Sequence, residues 1–369
     1  MAESRILIGD CIEQMKKLPD SSVHCCVTSP PYYGLRNYGM DGQVGLEDTP
    51  EAYVAKLVDV FREVRRVLRD DGTLWLNLGD TYAANRTYQV HQTKGHKDHT
   101  FEAGSKVPFG LKPKDMIGIP WRVAFALQAD GWWLRNEIIW NKTAPMPESC
   151  QDRCTKAHEH IFLLAKARSY YFDNEAIREP VKPSSGRNVH IPNYSIEEGK
   201  RINAEGKNYE IIKGANKRDV WTVPPKSFAE AHFATYPPDL IRPCVLAGTS
   251  EQGCCAKCGA PWEREKERVQ VTRERPNSLT KRSGEPGTGN FCPNDVAGTE
   301  TIHYRWVPSC DCNAECVPCT ILDPFFGAGT TGVVAMNHGR NAIGCELNPA
   351  YAAIAEKRIR EECGLLALT

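Results

Sequence analysis

Residues 320–346 constrain the fold more than any other stretch of this chain. A β-rich run, Thr320-Ile321-Leu322, leads into Asp323-Pro324-Phe325-Phe326-Gly327-Ala328-Gly329-Thr330-Thr331, and a helix-like stretch, Gly332–Asn337, follows. Beyond it, Ala342-Ile343-Gly344-Cys345-Glu346 reads as a second strand that closes on an acid. A strand, a glycine turn, a helix and a strand in so short a span form a βαβ unit. Such a unit commits its domain to a mostly parallel sheet covered by helices.

The rest of the chain continues the alternation. Strands are expected at Arg5–Ile8, His24–Thr28, Thr73–Leu78, Leu134–Trp140, His160–Leu164, Ile321–Asp323 and Ala342–Glu346. Pro50–Leu68 carries apolar residues at helical spacing (Tyr53, Leu57, Val60, Phe61, Val64, Leu68) and stops at the turn signal Asp70-Asp71-Gly72. Ile119–Ala129 and Tyr351–Glu362 also read as helices. Three stretches interrupt the pattern and read as functional insertions: a polar loop over 82–114, a basic segment over 178–231, and a cysteine-rich segment over 249–319. Residues 1–177 and 320–369 would then be two parts of one α/β domain, with 232–248 between the insertions.

Composition narrows the class. The 369 residues include 46 basic and 46 acidic side chains, so polyanions are not held by bulk charge, although local basic patches remain open. No apolar run reaches the roughly 18 residues of a membrane span. Met1-Ala2-Glu3-Ser4-Arg5 does not read as a secretory leader, so a soluble, cytoplasmic, non-membrane protein is expected. Of 16 cysteines, eight (254, 255, 258, 292, 310, 312, 316 and 319) fall in the last insertion. Others, such as Cys25, Cys26 and Cys345, sit in apolar runs and read as small buried hydrophobes.

Glycines at the 323–331 turn let the backbone approach a nucleotide-like ligand, and Glu346 is placed to accept both hydroxyls of a ribose. The glycines do not follow G-x-G-x-x-G and no phosphate-binding lysine follows them. A cofactor without phosphates, such as S-adenosylmethionine, therefore suits the turn better than NAD or ATP. The second chemical segment is Thr28-Ser29-Pro30-Pro31-Tyr32-Tyr33, directly after Cys25-Cys26-Val27. Two prolines fix the backbone and remove two N–H donors, leaving their carbonyls and the Ser29 hydroxyl as acceptors beside an aromatic ring. Acceptors for an amino group next to a stacking ring are what holds a nucleobase flipped out of a duplex.

Together the two turns resemble the DNA methyltransferases that modify exocyclic amino groups, N6 of adenine or N4 of cytosine. The catalytic turn precedes the cofactor turn, similar to the β-class order, a circular permutation of the Rossmann-like S-adenosylmethionine-dependent sheet. The resemblance implies that Ser29, Pro30, Pro31 and Tyr32 are catalytic. It implies that Asp10, Cys11, Phe233, Thr235, Asp323, Pro324, Phe325, Gly327, Gly329, Thr330, Thr331, Glu346 and Asn348 hold S-adenosyl-L-methionine. Gly9-Asp10-Cys11 resembles the turn beside the cofactor adenine, and His232–Pro237 the segment closing over its methionine end. Ser29 Oγ and the Pro30 carbonyl would accept the two amine N–H bonds and free the nitrogen lone pair, with Tyr32 stacked on the base. Ser in place of Asp at 29 leans toward cytosine within the family, but both side chains accept an amine proton and the base stays open.

Pro318-Cys319 superficially matches the nucleophile dipeptide of cytosine-C5 enzymes, yet it precedes the cofactor turn and lacks that motif's downstream residues. Cys255-Ala256-Lys257-Cys258-Gly259 is half of a zinc knuckle, which either Cys310-Asp311-Cys312 or Cys316-Val317-Pro318-Cys319 could complete. Similarity to phage-type methyltransferases selects Cys310 and Cys312, giving a structural zinc held by Cys255, Cys258, Cys310 and Cys312. Double-stranded DNA is the expected partner. Arg187, Lys200, Arg201, Lys207, Lys213, Lys217 and Arg218 are the candidate contacts to it, in a segment, 178–218, with nine Lys/Arg against five Asp/Glu. A homodimer, common in the β class, and an orphan or phage-borne enzyme without a nuclease are further expectations. The competing readings are the same chemistry on RNA or a protein amide, and an inactive DNA-binding regulator that keeps the fold.

Overall fold

The structure, a computed structural model, describes residues 2–83, 110–180, 189–190, 194–197, 200–203, 210–212, 214–226, 235–273 and 296–364. In chain order its elements are β1 (Ser4–Ile8), α1 (Cys11–Met15), β2 (Val23–Thr28), α2 (Pro50–Val67), β3 (Leu68–Leu78), α3 (Ile119–Ala129), β4 (Trp133–Asn141) and β5 (His158–Ala165). There follow β6 (Val189–His190), β7 (Tyr194–Glu197), β8 (Lys200–Asn203), β9 (Glu210–Ile212), β10 (Val220–Thr222), α4 (Pro238–Gly248), β11 (Cys254–Cys255), β12 (Trp262–Arg273) and β13 (Val296–Pro308). The chain ends with β14 (Cys316–Val317), β15 (Thr320–Asp323), α5 (Thr330–Asn337), β16 (Asn341–Glu346) and α6 (Pro349–Cys363).

Eight strands form one sheet in the order β1-β16-β15-β2-β3-β5-β4-β10. All its pairings are parallel except those that β5 makes with β3 and β4. The sheet is therefore mixed where the alternation alone suggested a nearly parallel one, because β4 returns through β5 without a crossover helix. From β15 the chain moves through α5 to β16 on one side. From β2 it moves through α2 to β3 on the other. The boundary between β15 and β2 is thus the point where strand order reverses, and ligands of open α/β sheets bind at the carboxyl ends of such a pair.

Helices cover both faces. On one, Tyr53, Leu57, Phe61 and Val64 of α2 and Val123 and Leu127 of α3 pack with Leu74, Leu76 and Phe162 of the sheet. On the other, Leu240, Ile241, Cys244 and Val245 of α4 meet Cys25, Val27, Trp75 and Ile321. Gly248 lets α4 close in, since a Cβ there would lie 2.5 Å from the Cys25 sulfur. Cys25, Cys26 and Cys345 are fully buried, as their apolar contexts suggest. α2 ends at Val67 and runs directly into β3, so Asp70-Asp71-Gly72 does not separate them. The extra residues are absorbed as an irregularity between the Val23–Leu68 and Cys25–Thr73 pairs. Sequence periodicity gives no sign of α4, which lies in a stretch legible only as a closing strap.

The two polar insertions are not separate units. β12 and β13 form a long antiparallel hairpin, β6 pairs with β12, and β9 pairs with β13, giving a second sheet in the order β6-β12-β13-β9. Strands from 178–231 thus extend a hairpin rooted in 249–319. At its base Arg264 pairs with Asp173 at 3.0 Å and with Glu251 at 2.9 Å, and stacks on Trp306 at 4.2 Å. Of the 82–114 loop, the described ends are tied together: Ala83 donates to Asp115 O at 2.7 Å, and Lys114 donates to Ala83 O at 2.6 Å. Among the described residues no helix is long and apolar enough to cross a membrane.

Candidate active site

The turns after β2 and β15 lie side by side and are bonded to each other. Thr28, the last residue of β2, donates its hydroxyl to Asp323 Oδ1 at 2.6 Å. Asp323 also accepts from Thr331 at 2.6 Å, Tyr236 at 3.0 Å and its own turn's Phe325 N–H at 3.0 Å. Burial pushes its carboxyl up against these four lowering bonds, and it is only 1% exposed. Asp323 is therefore a strut that ties the two turns and the 235–237 strap together. Each of its four acceptor positions is taken by a protein donor. Thr330 and Thr331, buried in the first turn of α5, have the same scaffolding role, Thr330 accepting from Arg358 at 2.9 Å.

What the glycine turn leaves open is backbone and Glu346. Gly327 and Gly329 take φ values of 51° and 75°, which a side-chain-bearing residue rarely adopts. Phe326 folds underneath, so close to Gly344 that a Cβ there would fall 2.2 Å from the ring, while Phe325 is half-buried. The Glu346 carboxylate receives Gly327 N–H on one oxygen and Asn348 N–H on the other, both at 2.8 Å. Each oxygen keeps a lone pair for a hydroxyl. Burial raises the Glu346 pKa above its ordinary 4.5. Asn348 caps α6 through Ala350 N–H. Asp10 caps α1 by accepting from Glu13 N–H, and the preceding Gly9 N–H bonds Glu346 O, which sets Asp10 beside the turn. Cys11 is buried and its thiol is pushed up to about 12. Thr235 is half-buried at the start of the strap, and Phe233 lies outside the described residues.

In the proline turn only part of the expected acceptor set is available. The Pro31 carbonyl accepts from the buried Tyr53 Oη at 2.9 Å and so faces the core. The Pro30 carbonyl has no hydrogen bond among the described residues, and Ser29 is half-exposed beside it. Tyr32 is held by groups that sequence reasoning missed. Its hydroxyl donates to Glu159 Oε2 at 2.7 Å and accepts from Asn77 Nδ2 at 2.8 Å. Asn77 also reaches Glu159 at 3.0 Å, and Lys142 pairs with the other Glu159 oxygen. Burial opposes the Glu159 charge, but Lys142 and these hydrogen bonds prevail and hold its pKa below the usual value. A carboxylate at the head of the otherwise apolar run Ile161–Ala165 was the available signal.

The four zinc candidates meet. Cys255, Cys258, Cys310 and Cys312 bring their sulfurs within 4.8 Å of one another. Backbone N–H groups of Cys258 and Lys257 hold the Cys255 thiol down at about 6, whereas Cys312, donating to its neighbours, is pushed up to about 12. Four thiolates this close repel, and a divalent cation relieves that repulsion, so the donor set fits a tetrahedral structural zinc. The knuckle sits at the start of β2 and β3: Arg69 bonds the Cys258 carbonyl, and His24 Nε2 donates to Gly259 O at 2.9 Å. His24 also groups with Cys254 and Cys319, but its Nδ1 accepts from Thr320 N–H at 3.0 Å, leaving neither ring nitrogen for a metal. Cys319 is 1% exposed at the start of β15, away from the cofactor turn, which removes it as a nucleophile.

The basic segment is less simple than its charge implied. Lys217 lies over the Trp221 ring at 5.1 Å and faces Glu179 at 3.8 Å. Arg218 pairs with Glu179 at 2.8 Å but is well exposed, and such surface pairs exchange readily. Lys200 and Arg201 lie on β8, whose side chains are not described, and Arg187, Lys207 and Lys213 fall outside the described residues.

Comparison with known proteins agrees with this geometry. A family model described as DNA methylase, for N6 and N4 methylation, matches residues 23–256 and 319–357. The type II methyltransferase M.Cfr9I of Citrobacter freundii is 39% identical over 355 residues, covering 96% of this chain and 87% of that protein. M.SmaI of Serratia marcescens is 37% identical over 356 residues, covering 96% and 90%. Among solved structures, the cytosine-N4-specific PvuII DNA methyltransferase superposes with a TM-score of 0.54 at 14% identity, covering 97% of this chain and 86% of that one. TTHA0409 of Thermus thermophilus, complexed with S-adenosyl-L-methionine, gives a TM-score of 0.50 at 20% identity, covering 99% and 98%.

Proposed function

The chain belongs to the DNA methylase family, and from that premise we propose that it transfers a methyl group from S-adenosyl-L-methionine to an exocyclic amine of a base flipped out of double-stranded DNA. The observation that carries this reading is the Thr28–Asp323 bond at 2.6 Å, which holds the proline turn and the glycine turn together at the strand-order reversal. Glu346 and Asp10 would hold the adenosine, and the backbone of 324–329 with the 235–237 strap would hold the methionine end. When bound, the cofactor supplies an electrophilic methyl on sulfonium.

The chain's own groups do the rest. A base amine is a poor nucleophile because its lone pair is conjugated with the ring. Ser29 Oγ and the Pro30 carbonyl accept its two N–H bonds and draw the nitrogen toward a tetrahedral shape, so the freed lone pair would be available to take the methyl as its bond to sulfur breaks, with the surplus amine proton passing to water. Pre-positioned acceptors and orientation supply the rate, and no covalent enzyme intermediate is formed. The Tyr32 ring offsets part of the few kcal/mol needed to unstack the base. Ser29 at the head of the turn favours N4 of cytosine over N6 of adenine. The relatives' type II class supports a role in restriction–modification.

Expression in a methylation-deficient bacterial host, followed by single-molecule modification calling, tests the reading. A sequence motif carrying N4-methylcytosine is expected, and it should vanish in a Ser29→Ala/Tyr32→Ala variant. N6-methyladenine instead would overturn the choice of base, and an unmarked genome would overturn the activity.

A further inference from the structure

We propose that Glu159 is a positioning residue for methyl transfer, fixing through Tyr32 the direction in which the Ser29 hydroxyl points. The inference rests on the reading of Ser29 as an acceptor for the target amine and adds a group that the two sequence motifs do not contain.

A hydroxyl is both donor and acceptor, so Ser29 helps an amine only if its own proton is directed elsewhere. An ionised carboxylate only accepts, which gives the whole cluster one polarity. Glu159 keeps its charge through Lys142. Tyr32 must then donate to Glu159, at 2.7 Å, and so must Asn77, at 3.0 Å. With its proton committed, the Tyr32 oxygen can only accept, and it accepts from Asn77 at 2.8 Å and from the Ser29 hydroxyl at 3.4 Å. The last contact is long, as contacts in active sites commonly are before substrate closes them. Asn77 Nδ2 also comes within 3.4 Å of Ser29 Oγ. The Tyr32 and Glu159 oxygens lie only 2.7 Å apart, so one Asn77 N–H serves both and the other, about 120° away, is directed to Ser29. Ser29 thus donates inward to Tyr32 and keeps its remaining lone pair for the amine. Strand pairing places these groups together: His160 lies opposite Leu78 and His158 opposite Asn141, bringing Glu159 to the carboxyl ends of β3 and β4. Replacing the carboxylate by an amide allows the reverse polarity. Tyr32 then accepts from the introduced amide, donates to Ser29, and fills the lone pair the amine needs.

The test is a double-mutant cycle on the full chain with duplex DNA carrying the motif found above. Glu159→Gln is expected to lower kcat about tenfold to hundredfold while KM for DNA and cofactor affinity stay within about twofold. Tyr32→Phe, which keeps the ring, should show the same split. The double variant should lose clearly less than the two single losses combined, because the tyrosine hydroxyl is the main link from Glu159 to Ser29, with Asn77 a second and longer one at 3.4 Å. Additive losses, or a Glu159→Gln enzyme with wild-type kcat, would overturn the proposal. If Glu159→Gln fails to fold, Tyr32→Phe still decides it, since wild-type kcat in that variant leaves no role for the chain of hydroxyls. A wild-type protein that methylates no DNA would instead defeat the underlying functional reading.

Discussion

Gly79, the residue that follows β3, sets where the Tyr32 ring can sit. A Cβ built on it would lie 2.5 Å from Tyr32 Cε2, 2.9 Å from Cδ2 and 3.3 Å from Cζ. Carbon atoms come to rest at about 3.5–4.0 Å, so Gly79→Ala requires the ring to retreat by roughly 1 Å. The hydroxyl of Tyr32 is bonded at 2.7 Å to Glu159 and 2.8 Å to Asn77, and the same displacement takes both beyond hydrogen-bonding range. Overpacking of this kind costs about 1–3 kcal/mol of stability, and misplacing a positioning group by 1 Å costs about 100-fold in rate. The single-turnover methyl-transfer rate of Gly79→Ala on duplex DNA should therefore fall by about that factor. Cofactor affinity measured by calorimetry should hold, because β2 separates this corner from the glycine turn. A rate within about threefold of wild type, or a loss confined to cofactor affinity, would refute the argument that Tyr32 works from a fixed position.

Two further outcomes follow from other parts of the molecule. Because burial raises Glu346 above 4.5, its protonation starts at a higher pH than that of an ordinary glutamate as acid is added. Cofactor affinity is then retained above that raised value and lost as pH falls through it, and a Glu346→Gln variant should bind weakly with no such acid limb. An unchanged limb in the variant, followed by titration calorimetry across pH, would assign the dependence elsewhere. At the knuckle, metal analysis should find one zinc per chain. Cys258→Ser should lose that metal and lower Tm by about 5 °C or more, since ligand loss at a structural site is a loss of folding energy. At saturating DNA, methyl transfer well below that Tm should persist, because the knuckle meets β2 at His24, roughly 16 Å of strand away from Ser29. A metal-free protein with unchanged Tm would count against a structural zinc.

The sequence was most legible where chemistry and local backbone demand the same residues. Phe326, Gly327, Gly329 and Gly344 form a turn that admits few alternatives, and the strands and helices around it fall within a few residues of their expected bounds. Spacing left two cysteine pairs open as partners of 255/258, resemblance to phage-type methyltransferases selected 310/312, and the fold brings those four together. What periodicity does not encode is direction and partner. The runs at 134–140 and 160–164 read correctly as strands, but nothing in an apolar run says that β5 turns back against both neighbours. Nothing in the motifs says that Thr28 and Tyr236 reach Asp323, or that Tyr53 reaches Pro31, from distant parts of the chain.

The same limit explains the missed carboxylate and the pairing of the two insertions. Glu159 is informative only once β5 lies antiparallel to β3, since that pairing alone carries it from mid-chain to the proline turn. Likewise, 178–231 looked like a basic recognition arm and 249–319 like a metal-tied loop, and their compositions are unlike. Backbone pairing of Ile212 with Thr301 and of His190 with Thr272 makes them one sheet. The knuckle and the Arg264–Asp173 pair fix the root of that sheet to the catalytic domain. A zinc at the knuckle, remote from the chemistry, would then act beyond local stability. It would brace the root of the sheet that contains β6 and β9, and between those strands the chain carries β8 with Lys200 and Arg201. Loss of zinc should therefore weaken DNA binding before it weakens cofactor binding.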